Sequence, residues 1–264
     1  IKVIFDAREF YPREFESSFL WKVQFQRLYT HLCRDYLQKC DAVITVSKGL
    51  QKLYKETFNC SSHLFYSLPF PYDITPFPVD NAHIKLIYHG ACNPDRGIHI
   101  LIQMMDFLPK TFHLTLVLVN GRGSKGYEKR LHAMAQKRNV SFLEPFSQKD
   151  LIEKTAFFDI GLCCFPRSTV NLEHAMPNKL FEYIQSRLMV VTTPLRDLSA
   201  FVLKENIGKV ASGFSAKEMA DTFLCLTNKE IDFYKGNASG AAKRYTHDSQ
   251  EYFILNLLSK KDFV

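Results

Sequence analysis

The groups best suited to chemistry in this 264-residue chain lie in two short stretches. The first is Asn171-Leu-Glu-His-Ala-Met-Pro-Asn-Lys-Leu-Phe-Glu-Tyr183. Pro177 suits the opening of a helix, where a missing N–H costs nothing. On that helix Asn178 and Glu182 stand four apart on one face and Lys179 stands three from Glu182, while Leu180, Phe181 and Ile184 mark the buried side. Polar groups therefore converge at the positive end of a helix. A glutamate one turn in can accept both hydroxyl hydrogens of a ribose, with Asn178, Lys179 and the free N–H groups facing its phosphates. The plainer alternative is a capped helix with a Lys–Glu surface pair, worth only about 0.3–0.5 kcal/mol.

The second stretch is Gly90-Ala-Cys-Asn-Pro-Asp-Arg-Gly97, set between an apolar run and a helix starting at Ile98. Gly90 permits close approach to the backbone, Arg96 supplies a permanent cation, and the helix start supplies free N–H groups. Together they suit a diphosphate, although the loop taken alone reads equally well as a Gly-closed turn with an exposed arginine. Two further loops carry less. Asn120-Gly-Arg-Gly-Ser124 matches neither the dinucleotide fingerprint nor the Walker pattern and reads as a turn. In Glu144-Pro-Phe-Ser147, Phe146 is placed to stack on a base, but with 23 Phe in the chain core packing is its default role.

These loops need a scaffold that brings them together. Beyond residue 84 apolar runs alternate with amphipathic ones. Strands are expected at 84–88, 114–119, 140–143, 159–163, 189–193 and 208–211, with helices at 98–107, 127–137, 150–155, 178–185, 198–203 and 216–226. Such β-then-α units with near-continuous apolar strands imply an α/β fold: a doubly wound, Rossmann-like parallel sheet covered on both faces, with ligands at the carboxyl ends of its strands. Upstream, residues 2–6 and 42–46 read as strands, 21–39 as a helix, and Ser47 as the N-cap of another. These cannot enclose a core of their own. Residues 1–68 are therefore expected to be the C-terminal portion of a larger α/β domain whose first part is absent. Residues 69–83 read as a Pro-rich linker, since four of the eleven prolines fall between Leu68 and Pro78. The main domain spans 84–244, and the amphipathic stretch at 245–264 is free to return to the first segment.

Composition narrows the classes. With 46% hydrophobic and 23% charged residues the chain is globular, neither disordered nor collagen-like. No apolar run approaches the length of a membrane span, so any membrane contact is expected to be peripheral. A net charge of +7 favours anionic partners without specifying them. The excess is sharpest at 122–138, where six cations face only Glu128, and it reads as a solvated helix face. Seven cysteines, odd in number and without a Cys-x-x-Cys pair, suggest reduced thiols in a cytoplasmic protein and no structural zinc.

The order of several motifs resembles the C-terminal two-thirds of a GT-B glycosyltransferase, closest to the large retaining family four. The landmarks are Asp6-Ala-Arg-Glu9, Asp41-Ala-Val-Ile-Thr-Val-Ser47, Gly90 with Arg96-Gly97, Phe142-Leu-Glu-Pro-Phe-Ser-Gln-Lys-Asp-Leu151, Asp159-Ile-Gly-Leu-Cys163, Pro177-Asn-Lys-Leu-Phe-Glu-Tyr183 and Met189-Val-Val-Thr-Thr-Pro194. The resemblance implies two Rossmann-like domains around a cleft and transfer, with retention, of a sugar from UDP or GDP to a hydroxyl of a glycan or lipid-linked acceptor. Surface polysaccharide or glycoconjugate synthesis, at the inner face of the plasma membrane, is the implied setting. It assigns donor binding to Gly90, Phe146, His174, Asn178, Lys179 and Glu182, and catalysis to Arg96 and Lys179, whose cations stabilise charge on the leaving diphosphate. No cofactor or metal is expected, there being no Asp-x-Asp, and no nucleic acid partner. Where the family has two glutamates with seven residues between them, His174 stands at the first position and Glu173 one early; Ala91 stands where a basic residue commonly follows the glycine. A nucleotide-sugar epimerase of the same fold and a non-catalytic scaffold subunit are the alternatives.

Overall fold

The structure, a computed structural model, describes residues 2–80, 82–121 and 124–259 apart from the Leu258 side chain. Its strands form two all-parallel sheets. The smaller one, in the order β1-β2-β3, comprises β1 (Ile4–Ala7), β2 (Ala42–Thr45) and β3 (His63–Leu64). The larger comprises β4 (Ile84–Ala91), β5 (Phe112–Val119), β6 (Val140–Leu143), β7 (Ile160–Cys163), β8 (Met189–Thr192) and β9 (Gly208–Val210), in the order β6-β5-β4-β7-β8-β9. The chain thus winds outward from β4 to β6, then restarts at β7 on the other side of β4. That reversal makes the β4–β7 seam the topological switch point, where a doubly wound sheet leaves a crevice at its carboxyl edge.

Alternation along the buried strands explains why helices cover both faces. Leu86, Tyr88, Leu114, Leu116 and Leu162 point into one apolar layer, and Ile87, Val117, Cys163 and Val190 into the other. The helices are α1 (Phe19–Trp21), α2 (Arg27–Tyr36), α3 (Lys48–Phe58), α4 (Ile98–Met104), α5 (Lys125–Ala135), α6 (Leu151–Thr155), α7 (Val170–Glu173), α8 (Asn178–Gln185), α9 (Arg196–Glu205), α10 (Ala216–Leu224), α11 (Asn228–Ala242) and α12 (His247–Ser259). The second apolar layer is shared between the sheets. Ala7, Phe10, Val43, Leu50 and Tyr54 belong to the same buried cluster as Leu180, Phe181 and Ile184 of α8. Residues 65–80 form neither helix nor strand and pass between the sheets. Leu257 of α12 is buried with Ala42 and Ile44, so the chain's last helix lies on the smaller sheet.

Strand 140–143 and helix 178–185 match the sequence expectation. The helix expected at 21–39 is broken into α1, a five-residue π-helical stretch Lys22–Gln26, α2 and a 3₁₀ turn Leu37–Lys39. Three elements were not expected: β3, α7 and the long α11. In α11 a lysine occupies a core position, Lys235, neutralised by Asp159 at 3.0 Å, and Gly236 and Gly240 dilute the apolar pattern. Arg122 and Gly123 of the Asn120–Ser124 loop lie outside the described residues.

Candidate functional site

The carboxyl edge of β4 and β7 is built around one close approach. Gly161 of β7 leaves room for Tyr183 of α8, whose ring would stand 2.4 Å from a Cβ at that position. The Tyr183 hydroxyl donates to the carbonyls of Ile87 and Leu162, and accepts from the His89 N–H at 3.3 Å. One buried side chain thus rivets α8 to both strands of the switch point, which is why the polar N-terminal turn of α8 stands at the sheet edge.

From that turn Lys179 reaches over the end of β4. Its Nζ lies 3.6 Å from the centre of the Tyr88 ring and 5.1 Å from that of Phe165. Gly90 makes this path available. Its φ of 143° lies where side chains are strained, and a Cβ there would stand 3.2 Å from Lys179 Nζ. Burial, reinforced by the nearby Arg96 charge, pushes the Lys179 ammonium down to about 7. Arg96 approaches from the 3₁₀ turn Pro94–Arg96, which Gly97 closes at φ 68°, and its guanidinium lies 5.5 Å from the same Phe165 ring. Two cations from different elements therefore lie within 5.5 Å of the centre of one aromatic ring. Each lies within electrostatic reach of a carboxylate, Lys179 of Glu182 and Arg96 of Glu9, and two cations near one ring favour an anion that reaches both.

Glu182, one turn further along α8, is largely buried, and burial raises its carboxyl above the usual range against the opposing pull of Lys179. Its Oε2 is 3.7 Å from Nε2 of the buried His89. Burial and the Lys179 charge push that imidazole down to about 3, so it is neutral and the contact is no ion pair. Asn178 is exposed at the start of α8. Beside Asn178 and Glu182 opens a cleft of about 450 Å³, closed by Arg8, Tyr66, Gln148 and, on α12, Gln250 and Leu255. It is lined from both sheets' sides.

The other residues singled out from sequence lie differently. His174 is buried and gives its Nδ1 to Asp197 at 2.7 Å, while Asp197 also accepts the Gly49 N–H at 3.1 Å. It therefore ties α7, α9 and α3 together, and Gly49 has no room for a Cβ against its ring. Glu173 is paired with Arg167 at 2.6 Å and lies 3.9 Å from Arg196. Phe146 packs its ring against the shared core beneath Lys154, whose Nζ is 5.5 Å from the ring centre. Two residues on, Gln148 lines the cleft. Glu9 has its carboxyl raised by burial and by Glu14, with Arg96 opposing. Tyr88, His89 and Phe165 were missed by sequence reasoning. The available signal was their place at the ends of β4 and β7, the two strands that flank the reversal in strand order.

No protein-family model matches the chain, and none of the curated proteins does. Solved structures do. WaaG, a glycosyltransferase involved in lipopolysaccharide biosynthesis, aligns with a TM-score of 0.67 at 15% identity over 96% of this chain and 73% of its own. Anabaena HepE in complex with UDP aligns at 0.75, with 17% identity over 98% of this chain and 72% of HepE. The chain has the GT-B fold. S. aureus TarM, solved with fondaparinux, alpha-GlcNAc-glycerol and UDP, aligns at 0.71 and 13% identity over 89% of this chain, which spans 47% of TarM.

Proposed function

We propose that this chain holds the donor site of a glycosyltransferase that moves a sugar from a nucleoside diphosphate to a hydroxyl of a glycan or lipid-linked acceptor. The observation that carries this reading is that Lys179 and Arg96 both approach the Phe165 ring, with the largely buried Glu182 one helical turn from Lys179, at the switch point of the sheet. Neighbours of the same fold support it, HepE and TarM having been solved with UDP. In this reading Glu182 accepts the ribose hydroxyls, Asn178 and Gly90 line the phosphate path, and Gln148 with Phe146 borders the base. Arg96 and Lys179 stabilise charge as it develops on the departing diphosphate, so they act in the transition state more than in the ground state. Because Lys179 is buried before the ligand arrives, its charge needs no solvent to reorganise at that moment.

The resemblance to retaining family four supports retention, and the acceptor is assigned to the side of the smaller sheet. Residues 1–68 are read as belonging to the acceptor domain. A setting in surface glycan synthesis at the cytoplasmic face of a membrane rests on that resemblance and the net charge of +7. Among the described residues no helix is long and apolar enough to cross a membrane. Flotation with anionic vesicles tests the contact: salt-sensitive co-flotation supports it, and its absence removes it. A second reading, a non-catalytic subunit, draws on His174 being held by Asp197 where the family places a glutamate. Calorimetric titration with UDP, GDP and ADP separates the two. Micromolar binding of one of them, lost in Glu182→Ala, supports the donor site; no binding of any supports the scaffold.

A further inference from the structure

Two polar atoms at the end of β4 are buried with no hydrogen-bond partner, the Tyr88 hydroxyl and His89 Nε2. Neighbouring residues of a strand face opposite sides of the sheet, so these two lie on either side of it. Tyr88 turns its ring to Lys179. His89 lies on the α8 side, its ring edge-on to Tyr183 with centroids 4.8 Å apart and its N–H bonded to the Tyr183 hydroxyl. The imidazole is thereby fixed at both backbone and ring while its Nε2 is left open. An unpaired buried polar atom is costly, and Glu182 Oε2 lies 3.7 Å from it. That gap exceeds a hydrogen bond by about 0.8 Å, a shift within reach of one glutamate rotamer.

We propose that His89 is the positioning residue for Glu182: when a ribose occupies the cleft, Nε2–H closes onto Oε2 and leaves Oε1 aimed at the two ribose hydroxyls. The proposal rests on the reading of Glu182 as the ribose acceptor. It adds why a carboxylate in so buried a place remains a good acceptor. A neutral donor favours the ionised form without cancelling its charge, as a lysine in that place would. Lys179, whose charge bears on the ring, has no acceptor to offer Nε2, and Tyr183 meets the ring edge-on.

The test is a ligand cycle. Calorimetry measures UDP and 2′,3′-dideoxy-UDP against the wild type, His89→Phe and His89→Gln, with thermal melting to verify that each variant is folded. The wild type is expected to prefer the diol, and His89→Phe to reduce that preference by roughly tenfold while leaving dideoxy-UDP affinity nearly unchanged. His89→Gln, whose side-chain amide can still donate, is expected to restore most of it. Equal weakening of both ligands in His89→Phe makes His89 merely structural and overturns the proposal, as does an unchanged preference. A wild type that binds UDP and its dideoxy analogue equally overturns the role of Glu182 itself, a failure visible before any variant is measured. Nitrogen-15 spectra of the His89 ring give an answer independent of folding defects. An Nε2–H tautomer whose signal shifts on saturating the wild type with UDP supports the proposal; an Nδ1–H tautomer, or a signal that saturating UDP leaves unmoved, contradicts it.

Discussion

The N-terminal ends of α8 and of α10 and α11 solve one problem in opposite ways. Every helix starts with N–H groups that have no partner inside it. In α10, Ser215 accepts from the Glu218 N–H and Glu218 reaches back to the Ser215 N–H; in α11, Thr227 and Glu230 do the same. Those ends are closed by their own residues. The end of α8 begins after Pro177 with no side-chain cap, and the turn carries Lys179 and Glu182. α4 likewise starts at Gly97 without a side-chain cap, directly behind Arg96. An open end alone does not mark a site, since α9 also lacks a side-chain cap yet places Asp197 against the Gly49 N–H. Where open ends lie with cations and a largely buried carboxylate at a switch point, we place the proposed donor site.

The sharpest break of this contrast is Glu182→Ala. Losing two charge-assisted hydrogen bonds to ribose is expected to lower UDP affinity roughly a hundredfold, measured by calorimetry, with little change in thermal stability. A smaller loss, roughly tenfold, is expected for Lys179→Met, and this variant carries a pH signature. The Lys179 ammonium, held down to about 7, is charged below that pH and neutral above it. A bound diphosphate favours the charged form, so UDP binding takes up a proton just above pH 7 and weakens as pH rises further. Titrations in buffers of different ionisation enthalpy should show that uptake in the wild type and none in Lys179→Met. Gly90→Ala adds a Cβ at φ 143°, against Lys179, and is expected to cost about 1–3 kcal/mol in urea denaturation as well as weakening UDP. At the closed end, Thr227→Ala is expected to cost about 1 kcal/mol of stability with UDP affinity unchanged. If Thr227→Ala and Glu182→Ala had the same profile, the distinction between the two kinds of helix end would fail.

Much of this was legible in the residues. Near-continuous apolar strands declared a sheet buried on both faces, and Pro177 with Leu180, Phe181 and Ile184 located α8. Gly90, Arg96, Lys179 and Glu182 could be singled out as candidates because each carries its chemistry in its type. The helix α11 was hidden by Lys235, a charge in a core position that only its distant partner Asp159 explains. The Thr227-x-x-Glu230 pair could have revealed it. Tyr88, His89 and Phe165 were hidden because they look like core residues, and only strand order shows that β4 and β7 end side by side. The contact of His174 with Asp197, 23 residues away, could not be read from the sequence.

The central claim is that one anion lies between Lys179 and Arg96 while Glu182 holds the sugar next to it. A crystal structure with UDP tests this most directly. The account predicts phosphate oxygens within hydrogen-bond distance of both cations and the ribose diol on Glu182. A nucleotide bound with its phosphates away from the Phe165 ring, or its ribose away from α8, would contradict it.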